Sequence, residues 1–280
     1  MVIKYLSYLF LILLSCNHLV TYSLASSINN PIVDTKTVDN DLILNQATKL
    51  LKNKIILDYE KDTFNDSTDP WTLYSLSLNH HFSWGSLITR GNFNHRFNTY
   101  GRQIEVDAYP HLRDGTYMYL NYGHSDSTIF PKNRFGAEVY QNVGGGYELS
   151  LGIRKLWFGD DEINIYTGTI AKYLGNYYFF FHPYYTPSNV GASKSGTFGL
   201  RRYLDDEQYV AMAFGSGLSI SQNSNLEVIK LDSKKASLDA YLKAPHDVFI
   251  HPAFSYAYEE VREDVFRKKI GLDLAVEIRF

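Results

Sequence analysis

The last fifteen residues constrain this chain more than any other stretch. Phe266, Ile270, Leu272, Leu274, Val276, Ile278 and Phe280 share one parity, broken only by Lys268. The opposite parity carries Arg267, Lys269, Gly271, Asp273, Ala275, Glu277 and Arg279. A period of two is the period of a β-strand, whose side chains point alternately to the two faces of a sheet. One face here is apolar and the other mostly charged. That split fits a soluble sheet with its charges in water, or a membrane barrel with its charges in the lumen.

The alternation recurs upstream. Ile104, Val106, Ala108 and Leu112 oppose Gln103, Glu105, Asp107, His111 and Arg113. Tyr147, Leu149, Leu151, Ile153 and Trp157 oppose Glu148, Ser150 and Arg154. The segments run to about ten residues, the length a tilted strand needs to cross a hydrocarbon core and about twice the mean soluble strand. Fourteen of them begin near residues 55, 71, 86, 103, 116, 133, 146, 162, 176, 194, 207, 233, 247 and 265. The intervening turns also alternate. Tight ones fall at Trp84-Gly85, Arg113-Asp114-Gly115, Gly144-Gly145, Leu174-Gly175-Asn176 and Ala244-Pro245-His246. Longer polar ones fall at 63–70, 126–133, 187–193 and 221–230. Bacterial barrels have short periplasmic turns, longer outer loops and an even strand number. Counted from a periplasmic N-terminus, every tight turn named lies on the periplasmic side. The expected fold is therefore all-β: a transmembrane antiparallel barrel of outer-membrane type with about 14 strands over residues 54–280, with 12 or 16 also compatible.

Composition removes competing classes. One Cys makes neither an intramolecular disulfide nor a four-cysteine zinc site. A net charge of −3 provides no basic footprint for nucleic acid. A mean hydropathy of −0.24 is too low for a polytopic helical membrane protein. Yet 23 Tyr, 17 Phe and 3 Trp make the chain rich in aromatics. Alternation reconciles these facts, because a greasy exterior and a polar interior average out. Tyr117, Tyr119, Tyr122, Tyr177 to Phe181, Tyr184 and Tyr185 are expected to form girdles at the membrane interfaces.

The N-terminus reads as an export signal. Residues 1–4 open with a positive charge, and Tyr5 to Ser15 is an apolar run too short to span a bilayer as a helix. Cleavage after Ala25 in Ser23-Leu24-Ala25 competes with a lipobox reading of Leu13-Leu14-Ser15-Cys16, which makes Cys16 a lipidation site. Residues 26–53 form a short periplasmic segment, with one short helix expected over 41–52. At the other end, Phe280 closes an amphipathic strand. A terminal aromatic there reads as the signal for the barrel assembly machinery.

A set of short stretches resembles the YaiO family of outer-membrane β-barrel proteins. They include Trp84-Gly85-Ser86-Leu87-Ile88 with Arg90, Asp107-Ala108-Tyr109-Pro110, and Leu120-Asn121-Tyr122-Gly123. Phe130-Pro131 before Arg134 and Gly136-Ala137-Glu138, Tyr166-Thr167-Gly168, Lys172-Tyr173-Leu174-Gly175-Asn176-Tyr177 and Arg201-Arg202-Tyr203 continue it. The order and spacing carry the resemblance, which extends over about 54–280. It implies an outer-membrane barrel and no reaction.

No catalytic constellation emerges. His80-His81 places adjacent rings on opposite strand faces, so the pair cannot chelate one ion. Gly144-Gly145-Gly146 lacks the Lys-Ser/Thr and helix of a phosphate loop. Gly159-Asp160-Asp161-Glu162 could hold Ca2+ but reads better as a solvated turn. Glu105 and Asp107 share a strand face, a spacing that suits acid–base work, but a salt-bridge network with Arg90, Arg96, Arg113 or Arg134 is the preferred reading. No metal or cofactor is expected. The lumen-facing candidates are Arg90, Arg96, Glu105, Asp107, Arg113, Arg134, Glu138, Glu148, Arg154 and Lys172. Their mixed signs argue for a neutral-solute path or a plugged interior rather than an ion-selective ring. The preferred function is a channel or export conduit for a polar or saccharide solute. A closed structural or surface-interaction barrel is the alternative, and a barrel-embedded enzyme on lipid or saccharide the least favoured. The expected partners are outer-membrane lipid, the assembly machinery and that solute.

Overall fold

Strand after strand in the computed structural model alternates as the sequence does. Residues 53–96, 98–159, 161–187, 192–222, 228–262 and 264–280 are described. The signal-peptide readings, Cys16 and the helix at 41–52 lie outside them. Fourteen strands follow in chain order. The first seven are β1 (Lys54–Phe64), β2 (Trp71–Phe82), β3 (Gly85–Arg96), β4 (Thr99–Arg113), β5 (Thr116–His124), β6 (Asn133–Gly144) and β7 (Tyr147–Phe158). The rest are β8 (Asp161–Leu174), β9 (Tyr177–Thr186), β10 (Ser193–Tyr203), β11 (Tyr209–Gln222), β12 (Val228–Ala244), β13 (Val248–Arg262) and β14 (Val265–Arg279). Each pairs antiparallel with its sequence neighbours, and β1 pairs with β14 from Lys54↔Arg279 to Phe64↔Lys269. The sheet closes into an up-and-down barrel with no free edge. No described helix is long and apolar enough to cross a membrane.

The two faces invert the pattern of a soluble protein. Leu151 is 80% exposed and Ile104 70%, whereas Asp107 and Glu259 are fully buried. Soluble proteins rarely bury acids on one face of a sheet and expose large apolar residues across the other. A hydrocarbon solvent requires that arrangement, because closed barrels satisfy every backbone group internally.

Both barrel termini and six of the strand connections share one rim, here the terminal rim. Four of those connections are two residues long, after Phe82, Arg113, Gly144 and Leu174. The sequence-expected longer loops fall at the opposite rim. Three connections there are also tight, after Arg96, Phe158 and Arg262, which the loop-length alternation did not foresee. Asn98 (φ 58°), Gly159 (φ 57°) and Asp264 (φ 58°) adopt the left-handed conformation that two-residue hairpins need.

Candidate functional site

The lumen wall is where this sequence concentrates its chemistry, and it has two unlike sides. The side formed by β2 to β9 is filled. Glu105 and Asp107 project inward from β4, two residues apart. Arg90 on β3 reaches both: Nη1 to Glu105 Oε2 at 3.1 Å and Nη2 to Asp107 Oδ2 at 3.3 Å. Arg134 on β6 donates to Glu105 Oε1 at 2.9 Å and to Asn121 Oδ1 at 3.0 Å. Asn121 and the Tyr119 hydroxyl both donate to Asp107 Oδ1, at 2.6 and 3.1 Å. Neighbouring strands thus supply an alternating lattice of charge, each bond shielded from water and stronger for it.

Glu138 accepts a hydrogen bond from Ser150 Oγ at 2.5 Å. Glu148 accepts from Tyr117 and Tyr178 hydroxyls at 3.3 and 3.5 Å. Arg154 lies over the Tyr184 ring at 5.8 Å. Arg96 stands apart from the carboxylates at the opposite rim, 5.5 Å over Trp71. Trp71 also meets Arg267, which donates to Glu259 Oε1 at 2.7 Å.

Two residues expected in the lumen lie elsewhere. Arg113 is exposed at the terminal rim, donating to Thr116 Oγ1 and Gln141 Oε1. A β-bulge between His111 and Arg113 shifts the register and turns the side chain to the other face. Lys172 pairs with Tyr147 in the outward row, its ammonium 3.5 Å from the Tyr147 ring centroid and 2.6 Å from Gly145 O. At a rim, a lysine can lay its stem on apolar surface and keep its charge wet.

The aromatic girdle also needs correction. Tyr122, Tyr177, Phe181 and Tyr185 are exposed on the outer face, as girdle residues are. Tyr117, Tyr119, Tyr178, Phe180 and Tyr184 instead turn inward. Tyr117 stacks on Tyr140 at 4.7 Å, and Tyr178 contacts Tyr173 at 4.5 Å. The β9 sequence is aromatic on both parities, so alternation could not sort its faces.

The terminal rim carries a second aromatic group. Tyr209, Tyr241 and Phe249 stack in series at 5.6 and 5.1 Å, with Arg201 over Tyr209 at 4.1 Å and Arg279 over Phe249 at 3.8 Å. Glu277 Oε1 gathers Lys54, Arg279 and Tyr241 within 3.3 Å. Arg279 continues to Glu207 in the β10–β11 connection at 2.6 Å. In that connection the Gln208 side chain and backbone amides hold the Asp205 carboxyl below its ordinary range. Phe280 follows β14 on the outer face, 66% exposed, its backbone paired with Asn53.

On the side formed by β10 to β13, three strands present small residues instead: Thr197 and Gly199 on β10, Ala211, Ala213 and Gly215 on β11, and Ala253, Ser255 and Ala257 on β13, while β12 between the last two presents Lys235, Ser237 and Asp239. Gly199 sits directly opposite Phe180, whose ring occupies the space a Cβ would take. Beside these strands lies a cavity of about 80 Å³ that opens to solvent. Its wall includes Ala213, Gly215, Ser237, Ala253 and Ser255, the charged Glu60, Lys235, Asp239 and Asp273, and the rings of Phe180, His182 and Tyr184. His182 is fixed by Thr167 and Thr169 hydroxyls at 2.5 and 2.9 Å from its two ring nitrogens.

The sequence profile of the YaiO membrane beta barrel domain matches residues 52–222, more than half of the chain. The chain belongs to the YaiO membrane β-barrel family. No curated protein matches it by sequence. Among solved structures, an outer membrane channel from Pseudomonas putida F1 is similar at 9% identity and a TM-score of 0.51, over 89% of this chain and 98% of that one. A bacterial polysaccharide outer membrane secretin is similar at 8% identity and a TM-score of 0.51, over 82% of this chain and 99% of that one. These likenesses establish the fold. This YaiO-family chain is an outer-membrane β-barrel of fourteen strands, with architecture shared by channels.

Proposed function

We propose that this barrel is a conduit for polar solutes, saccharides among them, with its terminal rim in the periplasm and its longer loops outside. The observation that carries the reading is the two-sided lumen. Fourteen strands lie between barrels filled by side chains and open porins. Here one side is packed with charge lattices and the other carries alanine, glycine and serine around a space whose largely apolar wall is dotted with charged groups. A barrel built only as a scaffold gains packing by filling that side. The orientation rests on the tight connections at the terminal rim. Phe280, exposed at the end of β14, is the proposed contact for the assembly machinery.

No reaction is assigned. Glu105 and Asp107, the best acid–base pair in the chain, are both held by guanidinium groups. The closed-barrel reading draws support from the stacked Tyr209, Tyr241 and Phe249 at the terminal rim. Planar-bilayer recording of the purified protein separates the two. The conduit reading expects discrete conductance steps of weak ion selectivity, since the lumen charges are mixed. A silent bilayer across all voltages would favour the closed barrel.

A further inference from the structure

Among the described residues, the Lys235 ammonium has neither kind of partner taken by the other lumen cations, of which Arg96, Arg154 and Arg201 lie over aromatic rings. Arg90, Arg134, Arg267 and Lys269 each contact a carboxylate within 3.3 Å. Lys235 makes no hydrogen bond and no ion pair within 4 Å among the described residues, and its side chain lines the open space. Glu60, Asp62 and Asp273 attract it from a distance, and Lys269 repels it. Lys235 is half-buried and faces this space with no protein partner among the described residues, so a solute oxyanion arriving there would gain a charge-assisted hydrogen bond.

The surrounding chemistry narrows the solute. Asp239 lies 3.3 Å from His251, Asp62 is bonded to Lys269, and Glu60 and Asp273 each interact with a neighbour. This density of carboxylates opposes a dianion such as a phosphate ester, which would meet several like charges in a low dielectric. Carboxylates and the Ser237 and Ser255 hydroxyls do accept hydrogen bonds from sugar hydroxyls. On β9, Phe180 and Tyr184 present rings to the same space, surfaces suited to the C–H face of a pyranose.

We propose that the lumen binds a carboxylate-bearing saccharide, a hexuronate unit, with its carboxylate on Lys235 and its ring beside Phe180 and Tyr184. The inference rests on the conduit reading and names its solute class. It is tested by titration calorimetry on the detergent-solubilised full chain with sodium glucuronate, glucose and glucose 1-phosphate as probes. The expected result is glucuronate bound at least about tenfold more tightly than glucose, the value of one charge-assisted hydrogen bond, and more tightly than the phosphate ester. Lys235→Gln should abolish the preference for glucuronate over glucose, and Lys235→Arg should keep it. Heat-modifiable mobility on a gel verifies that each variant is folded. Equal binding of glucuronate and glucose by the wild-type barrel would overturn the proposal, as would tighter binding of the phosphate ester or a preference that survives Lys235→Gln. Calorimetry needs no conduction. A silent bilayer would remove the conduit reading without touching this result, and an absent preference would remove the subsite without touching the conductance.

Discussion

Glu105→Ala is expected to destabilise the barrel by about 3–5 kcal/mol, the cost of removing one partner from a buried ion pair. Glu105 is 2% exposed and accepts from two guanidinium groups, Arg90 at 3.1 Å and Arg134 at 2.9 Å. Its loss takes a carboxylate from both. Arg90 would retain Asp107, and Arg134 would keep the neutral Asn121 oxygen. Urea titration of the lipid-reconstituted barrel, followed by heat-modifiable gel mobility, measures the change. A shift below about 1 kcal/mol, the range of solvent-exposed pairs, would mean that water already screens the lattice. Substitution at Lys155 provides the contrast. Its pair with Glu162 lies at 2.8 Å but on exposed side chains, so its loss should barely register.

The second large effect concerns the open side of the lumen. Ala213→Trp combined with Ala253→Trp puts two bulky rings into the space beside β11 and β13. The conduit should lose most of its single-channel conductance while the barrel stays folded, because the added volume enters a space and not a packed core. Unchanged conductance in a folded double variant would place the solute path elsewhere.

Much of this architecture was legible because membrane barrels obey a simple rule of alternation. The fourteen segment starts lie within about five residues of the observed strands, the largest differences being at β4 and β12. Parity sorted Glu105, Asp107, Arg134 and Glu138 from Ile104, Val106, Phe135 and Val139 without any structure. It failed at Arg113, because a one-residue bulge inverts every face beyond it and leaves no mark on composition. It failed at Lys172 because a charge at a rim is not obliged to face the lumen. It could not sort β9, where both faces are aromatic. The division of the lumen into packed and open sides was illegible for a different reason. Gly199, Ala213, Gly215 and Ala253 are unremarkable one at a time, and only the strand registers bring them onto one stretch of the lumen wall. Lys235 likewise resembled any other strand lysine until the distances to its neighbours were known.

Thiol accessibility measures that division most directly. Cysteine is introduced at Ala213 or Ala253 on the open side, and at Gly136 or Gly152 on the packed side. Each folded, lipid-embedded variant is treated with a membrane-impermeant anionic thiol reagent, with the unsubstituted barrel treated alike as background. The two-sided lumen predicts rapid modification of Ala213→Cys and Ala253→Cys and protection of Gly136→Cys and Gly152→Cys. Equal rates at all four positions, or faster modification on the β6–β7 side, would contradict it.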